Sequence, residues 1–312
     1  MFSLPKILIR IKRENAWLKA YMELGRPDAV ISDNRYGLHH KGIFSVFITH
    51  QLMIKTPFGK WADKWLQRLN YRAIGRFSAC WVPDWETGSA VEPIPLAGEL
   101  SHPRKLPAVP LRYIGPLSRF SRADGQEAEE CDLLVLVSGP EPQRSLFEEL
   151  MRKQLMQFTG RSILVRGLPA LAKAGPPAQV ASQVAANASR EYDHLPAAQL
   201  NKLIDGAALV LSRPGYSSVM DLFRLGKKCI FIPTPGQTEQ EYLGAYLSGK
   251  QLALSVSQRD FHLLDALRQA AAFPFRNLPF DAAGRTGEAT GNGPLRAALA
   301  DLVEKLSTLP ES

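Results

Sequence analysis

Short apolar runs alternate with helix-like segments along the second half of the chain, and this alternation constrains the fold more than any other feature. The run DLLVLV at 132–137 has the length and composition of a strand buried on both faces. From 142 to 158 apolar residues recur at three- and four-residue spacing, as on one side of a helix. Further strands are predicted at 162–165, 208–211 and 229–232, and further helices at 197–203, 218–225, 239–247 and 261–271. Repeated βα units predict a doubly wound parallel sheet, which binds ligands beyond the carboxyl ends of its strands.

The first half of the chain follows the same alternation less regularly. Its pattern predicts a helix at 7–24, strands at 29–32, 45–48 and 79–82, and a helix at 61–74. A doubly wound domain ordinarily opens with a strand and a Gly-rich turn, whereas here a basic helical segment comes first. We therefore expect this domain to be incomplete, or to be completed by another chain.

Length and composition favour two domains. A chain of 312 residues can form one or two ordinary cores. A proline-containing stretch gives way to a charged run at 122–130, and we place the boundary there. We predict a first domain at 1–120, a second at 121–280, and at 281–312 a Gly-rich flexible linker that leads into a final helix.

The composition indicates a cytoplasmic protein without a membrane span. No apolar run is long enough to cross a bilayer, and the start carries no small-residue cleavage site. The three cysteines, Cys80, Cys131 and Cys229, are far apart and form no CxxC pair. We therefore expect neither a zinc site nor a disulfide framework.

Charge is distributed unevenly between the two halves. Residues 1–122 hold 19 Lys and Arg against 9 Asp and Glu, whereas residues 123–312 hold 19 against 21. This asymmetry indicates either a plain basic surface or contact of the first half with anionic lipid, phosphate or nucleic acid. Nucleic acid is the weakest of these, because the basic half lacks a motif that interleaves aromatic and basic residues.

The segment before residue 25 is one candidate for contact with an anionic membrane. In helical register an apolar stripe lies beside basic residues, as in a helix that lies on a membrane surface. The same stripe could instead pack against the domain core. Its residues are Ile7, Ile11, Leu18 and Met22.

The segment SRPGYSS at 212–218 is the strongest candidate for an anion site. It follows a predicted strand and opens a helix that contains Asp221. Gly215 allows close backbone approach, the first helical turn offers N–H groups to a phosphate, and Ser217 and Ser218 can add hydroxyl donors. The alternative is a plain helix cap formed by Ser218 and Asp221.

A second strand, loop and helix unit follows at 231–242, with the sequence FIPTPGQTEQEY. We expect its loop and the preceding one to face the same crevice. Polar side chains at the start of its helix can bind the vicinal hydroxyls of a sugar, while Asp221 can bind the diol of a ribose. Alternatively, the acids complement the helix dipole. The four sugar-binding candidates are Gln237, Glu239, Gln240 and Glu241.

These two loops resemble the donor site of the family-28, peptidoglycan-type N-acetylglucosaminyltransferases and their UDP-glycosyltransferase relatives. That family has an Arg-Ser-Gly loop and, six residues after the Gly, an acid that holds the ribose; Arg213, Gly215 and Asp221 match this spacing. Gln240 matches the first of two Gln residues that the family presents to the donor hexose. Glu241 departs from the second, and Gly244 stands where the family has an Asn.

The resemblance implies a GT-B-like α/β fold, with two Rossmann-like doubly wound parallel-sheet domains that face a cleft and an incomplete N-terminal domain. It also implies a UDP-sugar substrate and neither cofactor nor metal. His194 and Leu195 occupy the region where relatives hold the uracil. The residues implied to surround the diphosphate are Ser138, Gly139, Arg213, Gly215, Ser217 and Ser218.

Two stretches in the first half, 27–37 and 46–51, resemble the acceptor domain of the same family. The acceptor-side residues implied by them are Asp33, Asn34, Arg35, His50 and Gln51, with turn formation and a strand-end His as the alternative. Relatives carry a Gly-rich turn with a His after their first strand, and nothing before Arg26 matches it. His50 is the remaining candidate for the catalytic base.

The implied function is transfer of a hexose, with N-acetylglucosamine as one candidate, from a UDP-sugar to a lipid-linked or cell-envelope glycan acceptor. Such an enzyme would be peripheral on the cytoplasmic face of the membrane. The alternative is a non-catalytic UDP-sugar-binding protein or subunit that needs a partner to complete its site. The donor hexose, the acceptor and the oligomeric state stay open.

Overall fold

The computed structural model describes residues 4–25, 27–87, 94–121, 129–168, 189–276 and 293–308. The chain divides into two compact units, one formed by Met1–Leu117 with Asp281–Ser312 and the other by Ser118–Phe280. The linker predicted before the last helix lies outside the described residues.

The predicted helices and strands are present, and their bounds shift by a few residues. The helices are α1 (Leu4–Gly25), α2 (Lys60–Ile74), α3 (Gln143–Leu155), α4 (Ala197–Gly206), α5 (Tyr216–Arg224), α6 (Thr238–Gly249), α7 (Leu263–Ala272) and α8 (Gly293–Ser307). The strands are β1 (Ala29–Asp33), β2 (Phe44–Ile48), β3 (Ala79–Val82), β4 (Leu111–Tyr113), β5 (Cys131–Leu136), β6 (Ser162–Val165), β7 (Arg190–Tyr192), β8 (Ala207–Ser212), β9 (Cys229–Phe231) and β10 (Leu254–Ser255).

The first unit is built on a parallel sheet with the order β1-β2-β3-β4. Successive residues of β2 point to opposite faces, so that Val46 and Phe47 belong to different cores. Phe47 packs with Ile74 at the end of α2, while Val46 packs with Ala298 and Leu302 of α8. The last helix of the chain therefore closes one face of the first sheet.

The second unit is a six-stranded parallel sheet with the order β10-β9-β8-β5-β6-β7. Its main core packs one face of the sheet against α3 and α7 through residues such as Leu133, Phe147, Met151, Leu211 and Leu263. The chain runs from β5 outward to β7, then returns to β8 beside β5 and runs outward the other way. The predicted doubly wound parallel sheet is confirmed, with its switch point between β5 and β8.

A candidate donor site at the switch point of the second sheet

The three predicted donor loops lie side by side at the carboxyl edge of the second sheet. In the ladder Leu136 pairs with Ser212, and Ser212 pairs with Phe231, so the loops after β5, β8 and β9 begin at the same level. Each loop contains a glycine at which an added Cβ would meet nothing within 4 Å. These glycines are Gly139, Gly215 and Gly236. The edge therefore has open space above the backbone, where a ligand can approach closely.

The first turn of α5 has no side-chain cap. The helix begins at Tyr216, and its capping residue is Gly215, which makes no side-chain hydrogen bond to the helix. The alternative in which Ser218 caps this helix is therefore not realised, since Ser218 already lies inside the first turn. Ser217 is exposed and Ser218 is half-buried. The positive end of the helix and the N–H groups of its first turn are thus placed as in an anion site.

Arg213 lies beneath these loops and does not reach the surface. Its side chain is buried, its guanidinium stacks 4.0 Å from the Phe147 ring centroid, and its Nη1 donates to the carbonyls of Ile232 (2.8 Å) and Pro233 (3.1 Å). Among the described residues, Nε and Nη2 have no hydrogen-bond partner and no carboxylate forms an ion pair with this side chain. Burial lowers the pKa of Arg213 to about 10, so it stays protonated at neutral pH.

This burial changes the role that the sequence suggested for Arg213. The guanidinium ties the end of β9 to the end of β8, because Arg213 follows β8 and donates to the Ile232 carbonyl after β9. The guanidinium is a buried positive charge without a carboxylate partner within the described ranges, and it lies below the glycine loops. Electrostatic interactions are strong in this low-dielectric environment. This buried charge makes the base of the glycine loops electropositive.

The loop after β9 is held by two of the four residues that were predicted to bind a sugar. Gln240 is buried and its Oε1 accepts a hydrogen bond from the Thr234 N–H at 2.9 Å. Glu241 is exposed, and its Oε1 accepts from the Gly236 N–H at 2.8 Å. Both oxygens thus shape the loop. Gln237 is exposed at the start of α6, and Glu239 is half-buried.

The departure at Gly244 has a steric cause. A Cβ at this position would lie 2.5 Å from the Ser255 Oγ and 2.9 Å from the Pro233 Cγ, both closer than real contacts. The helix α6 packs here so closely on β10 that the Asn of the family cannot be accommodated without movement. The position where the family has an Asn therefore has no room for a side chain in this chain.

Asp221 faces a segment that sequence reasoning missed. Its Oδ1 accepts a hydrogen bond from the Ser118 hydroxyl at 2.7 Å, and its Oδ2 lies 3.7 Å from the Arg119 Nε. Burial is the largest influence on this carboxyl and raises its pKa, against the opposite effects of Ser118 and Arg119. No local pattern marks the contact, since Ser118 and Asp221 are 103 residues apart in sequence.

The predicted base-binding pair follows β7. Leu195 is buried and His194 is exposed. The preceding residue, Asp193, forms an ion pair with Arg166, whose Nε also lies 2.7 Å from the Glu148 carboxylate on α3. These ion pairs hold the carboxyl ends of β6 and β7 and thereby fix the segment that carries the pair.

The acceptor-side candidates meet at the carboxyl edge of the first sheet. Asp33 pairs with Ile48 in the ladder, and Asn34 follows the first of these residues directly while His50 comes two residues after the second. Asn34 adopts a positive φ of 52°, as expected for a turn, and Arg35 forms an ion pair with Glu14 of α1. His50 and Gln51 are half-buried. The structure thus brings all five candidates to one edge.

A buried carboxylate at the same edge was not predicted. Asp84 follows β3 and is fully buried. It accepts hydrogen bonds from the N–H groups of Trp85, Leu96 and Ala97 and from the Ser101 hydroxyl, all between 2.6 and 2.9 Å. Four donors satisfy the charge and organise the loops beside the acceptor-side residues.

The remaining sequence predictions concern the cysteines, a membrane span, a metal site and the first helix. All three cysteines are buried free thiols, and burial raises the pKa of Cys131 to about 11. No helix in the described ranges is long and apolar enough to cross a membrane, and no three potential ligands there are grouped to hold a metal ion. In the predicted apolar stripe of α1, Leu18 is buried and Ile11 is half-buried. Met22 is half-buried and Ile7 is 43% exposed, so the stripe is fully buried only at Leu18.

The two sheets, their order and the glycine loops define the class. Crystal structures of GT-B glycosyltransferases superpose on nearly the whole chain. UGT89C1 of Arabidopsis thaliana, solved with UDP-L-rhamnose, is 14% identical with a TM-score of 0.59 and covers 98% of this chain and 80% of its own. MurG of Acinetobacter baumannii is 14% identical with a TM-score of 0.50, and the superposition covers 95% of this chain and 78% of MurG. The predicted GT-B-type fold is confirmed.

Within that class the second unit is more closely defined. Residues 146–279 match the glycosyltransferase family 28 C-terminal domain. The UDP-N-acetylglucosamine--N-acetylmuramyl-(pentapeptide) pyrophosphoryl-undecaprenol N-acetylglucosamine transferase of Rhodopseudomonas palustris (strain BisB18) is 37% identical over 106 residues, which are 32% of this chain and 27% of that protein. Residues 146–279 are therefore similar to the family 28 C-terminal domain, in line with the resemblance of the two loops.

Proposed function

We propose that this chain binds a UDP-sugar at the switch point of the second sheet and takes part in transfer of its hexose to a lipid-linked or cell-envelope glycan acceptor. The observation that carries the proposal is the uncapped first turn of α5 above the acid-free, buried Arg213, inside the stretch that matches family 28. N-acetylglucosamine is the first hexose to test, because the relative with 37% identity is named for its transfer.

In the proposed reaction an acceptor hydroxyl attacks the anomeric carbon and the bond to the diphosphate breaks. Negative charge then builds up on the leaving diphosphate. The N–H groups of the first α5 turn, the hydroxyls of Ser217 and Ser218 and the charge of Arg213 would stabilise it. Ser138 and Gly139 would approach the same group from the neighbouring loop. His50 is the candidate base for the acceptor proton.

Asp221 would bind the ribose diol, and this requires a rearrangement. Its Oδ1 is engaged by Ser118 in the structure. A ribose hydroxyl would replace the Ser118 hydroxyl as the donor, one hydrogen bond for another. His194 and Leu195 would contact the base.

The proposal is tested by calorimetry with UDP and UDP-N-acetylglucosamine. Asp221→Asn keeps the size of the side chain but removes the charged acceptor, and we expect UDP binding to weaken by about 1–3 kcal/mol. Asp265→Asn on α7 makes the same chemical change at an exposed acid and should leave binding unchanged. Equal UDP affinity for wild type and Asp221→Asn would refute the assignment. Binding without turnover would favour the alternative, a non-catalytic binding subunit.

The lipid-linked acceptor implies a place beside the cytoplasmic face of a membrane. Its support is the excess of basic residues in the first half of the chain. The predicted stripe of α1 stays a candidate for this contact at its first turn, where Ile7 is exposed, whereas Leu18 is buried.

A further inference from the structure

Helix α3 carries one buried carboxylate that is shared by three arginines. Glu148 is buried, and three guanidinium groups lie 2.5, 2.9 and 2.7 Å from its oxygens, those of Arg144, Arg152 and Arg166. Burial by itself would raise the pKa of Glu148, but hydrogen bonds from Arg144 and Arg166 outweigh this effect and lower the pKa. The carboxylate is therefore charged at neutral pH.

One branch of ion pairs leads from Glu148 to the loop after β5. The Arg144 Nε donates to the Glu141 Oε1 at 2.5 Å, and the other oxygen of Glu141 accepts from the Ser145 N–H at 3.2 Å. Glu141 lies two residues after Gly139, in the loop that the resemblance places near the diphosphate. The far end of this loop is therefore tied to α3.

A second branch leads from Glu148 to the end of β7. Arg166 follows β6 directly and forms an ion pair with Asp193, and its Nε also lies 3.3 Å from the Glu191 carboxylate. Arg152 on α3 pairs with the same Glu191. The predicted base-binding pair comes directly after Asp193. The segment that would hold the base therefore begins at the end of this branch.

The two branches meet at Glu148 and form one continuous set of ion pairs, which we call the α3 network. One further bond joins the branches, from the Arg144 Nη1 to the Arg166 carbonyl at 3.2 Å. The loop after β5 and the segment after β7 are thus connected through side chains. The members of the network are Glu141, Arg144, Glu148, Arg152, Arg166, Glu191 and Asp193.

Stability alone is a poor reason for such a network. Burying charges offsets much of what their ion pairs contribute, and apolar residues of similar volume often stabilise a fold as well or better. The strands β5, β6 and β7 are already joined by their backbone ladder. Guanidinium and carboxylate groups do fix geometry, because their hydrogen bonds are directional. What the network orders is the chain beyond the strand ends, which the ladder does not hold.

We propose that Glu148 is a positioning residue of the donor site, which holds the loop after β5 and the segment after β7 in one arrangement for the two ends of a nucleoside diphosphate. The inference rests on the proposed binding of UDP. Glu148 acts through Arg144 and Arg166, because its own oxygens are buried and engaged. A site whose two sides are ordered in advance binds its ligand without the entropic cost of ordering them.

Hydrogen–deuterium exchange of the ligand-free chain tests the coupling. Glu148→Gln keeps the size of the side chain but removes its charge, and we expect faster exchange at both 137–141 and 192–195. Glu141→Gln should speed exchange only in the first segment and Asp193→Asn only in the second, because each removes the end of one branch. Wild-type exchange in both segments of Glu148→Gln would overturn the proposal.

Glu129→Gln is the matched control. Glu129 forms an ion pair with Arg190, which begins β7, so the same chemical change breaks an ion pair at the other end of that strand. We expect wild-type exchange at 137–141 and 192–195 in this variant. An effect as large as that of Glu148→Gln would indicate general loosening and would contradict a specific role of Glu148.

Ligand binding separates positioning from a purely structural role. Calorimetry compares UDP with inorganic pyrophosphate, which lacks the nucleoside. In Asp193→Asn we expect UDP binding to weaken about tenfold and pyrophosphate binding less than about twofold, since only the base segment must then be ordered on binding. Glu148→Gln should weaken both ligands. In the double variant the loss for UDP should be smaller than the product of the single losses, because both substitutions act through Arg166.

The remaining outcomes are decisive in different ways. Faster exchange in Glu148→Gln with wild-type affinity for both ligands would make the network structural and overturn the proposal. A wild-type chain that binds no UDP would refute the proposed function and the nucleotide role of Glu148 with it, while the exchange data would still report on the coupling of the two segments.

Circular dichroism checks that each variant folds. If Glu148→Gln does not fold, the two branch variants decide, because Glu141 is exposed and Asp193 is half-buried. Wild-type exchange in both of them would then overturn the proposal.

Discussion

Replacing Gly244 by alanine tests the packing behind the donor loop. A Cβ there would lie 2.5 Å from the Ser255 Oγ and 2.9 Å from the Pro233 Cγ. Alanine favours a helix over glycine by about 1 kcal/mol, but forcing a methyl group into a filled contact costs about 1–3 kcal/mol. With two contacts below 3.0 Å we take the upper part of that range, and expect Gly244→Ala to lower the free energy of unfolding by about 1–2 kcal/mol.

A matched glycine on the same helix provides the control. At Gly249 an added Cβ meets nothing within 4 Å, so Gly249→Ala should be neutral or stabilise by up to about 1 kcal/mol. Ser255→Ala removes the nearer obstacle, and in the double variant with Gly244→Ala we expect about 1 kcal/mol of favourable coupling. Urea unfolding measures all four proteins. If Gly244→Ala and Gly249→Ala are equally stable, the close approach of α6 to β10 and Pro233 is wrong.

Two other substitutions test the electrostatics of the donor site. Arg213→Met loses two charge-assisted hydrogen bonds but relieves a buried charge, and we expect a net destabilisation of about 1–3 kcal/mol and weaker UDP binding. Urea unfolding measures the stability and calorimetry the UDP affinity, with Arg268→Met on α7 as the exposed control. Unchanged UDP affinity would remove Arg213 from the site. Ser118→Ala frees the Asp221 carboxylate, and calorimetry should show UDP binding tighter by up to about 1 kcal/mol. Weaker binding would mean that Ser118 supports the ribose site.

The loops of the donor site could be predicted because their signals are local. Buried strands followed by glycine turns and helix starts are visible in a single window, and the parallel sheet then places them at one edge. The strands β4, β7 and β10 have three residues or fewer, too short to show a period. The contact of Ser118 with Asp221 joins positions 103 residues apart, and no local pattern contains it.

Side-chain direction was the harder part of the prediction. An arginine in an anion-binding loop suggests a direct contact, but Arg213 is drawn inward by the Phe147 ring and two carbonyls. The pattern of α2 predicted a helix correctly, yet the usual amphipathic rule would bury Trp61 and Trp65. The hydrogen bonds of Asp63 and Asn70 instead keep the polar side of α2 toward the protein, because buried polar groups must be satisfied.

The second unit is one continuous segment of the chain and can be exchanged as such. Ser118–Phe280 is continuous in sequence, whereas the first unit takes in the chain on both sides of it and is closed by α8. This one stretch therefore contains all three glycine loops, Asp221 and its partner Ser118. A chimera designed to exchange the donor preference would need only this stretch. A chimera of the first unit would need two pieces, because a piece that omits α8 would uncover Val46 and Trp81.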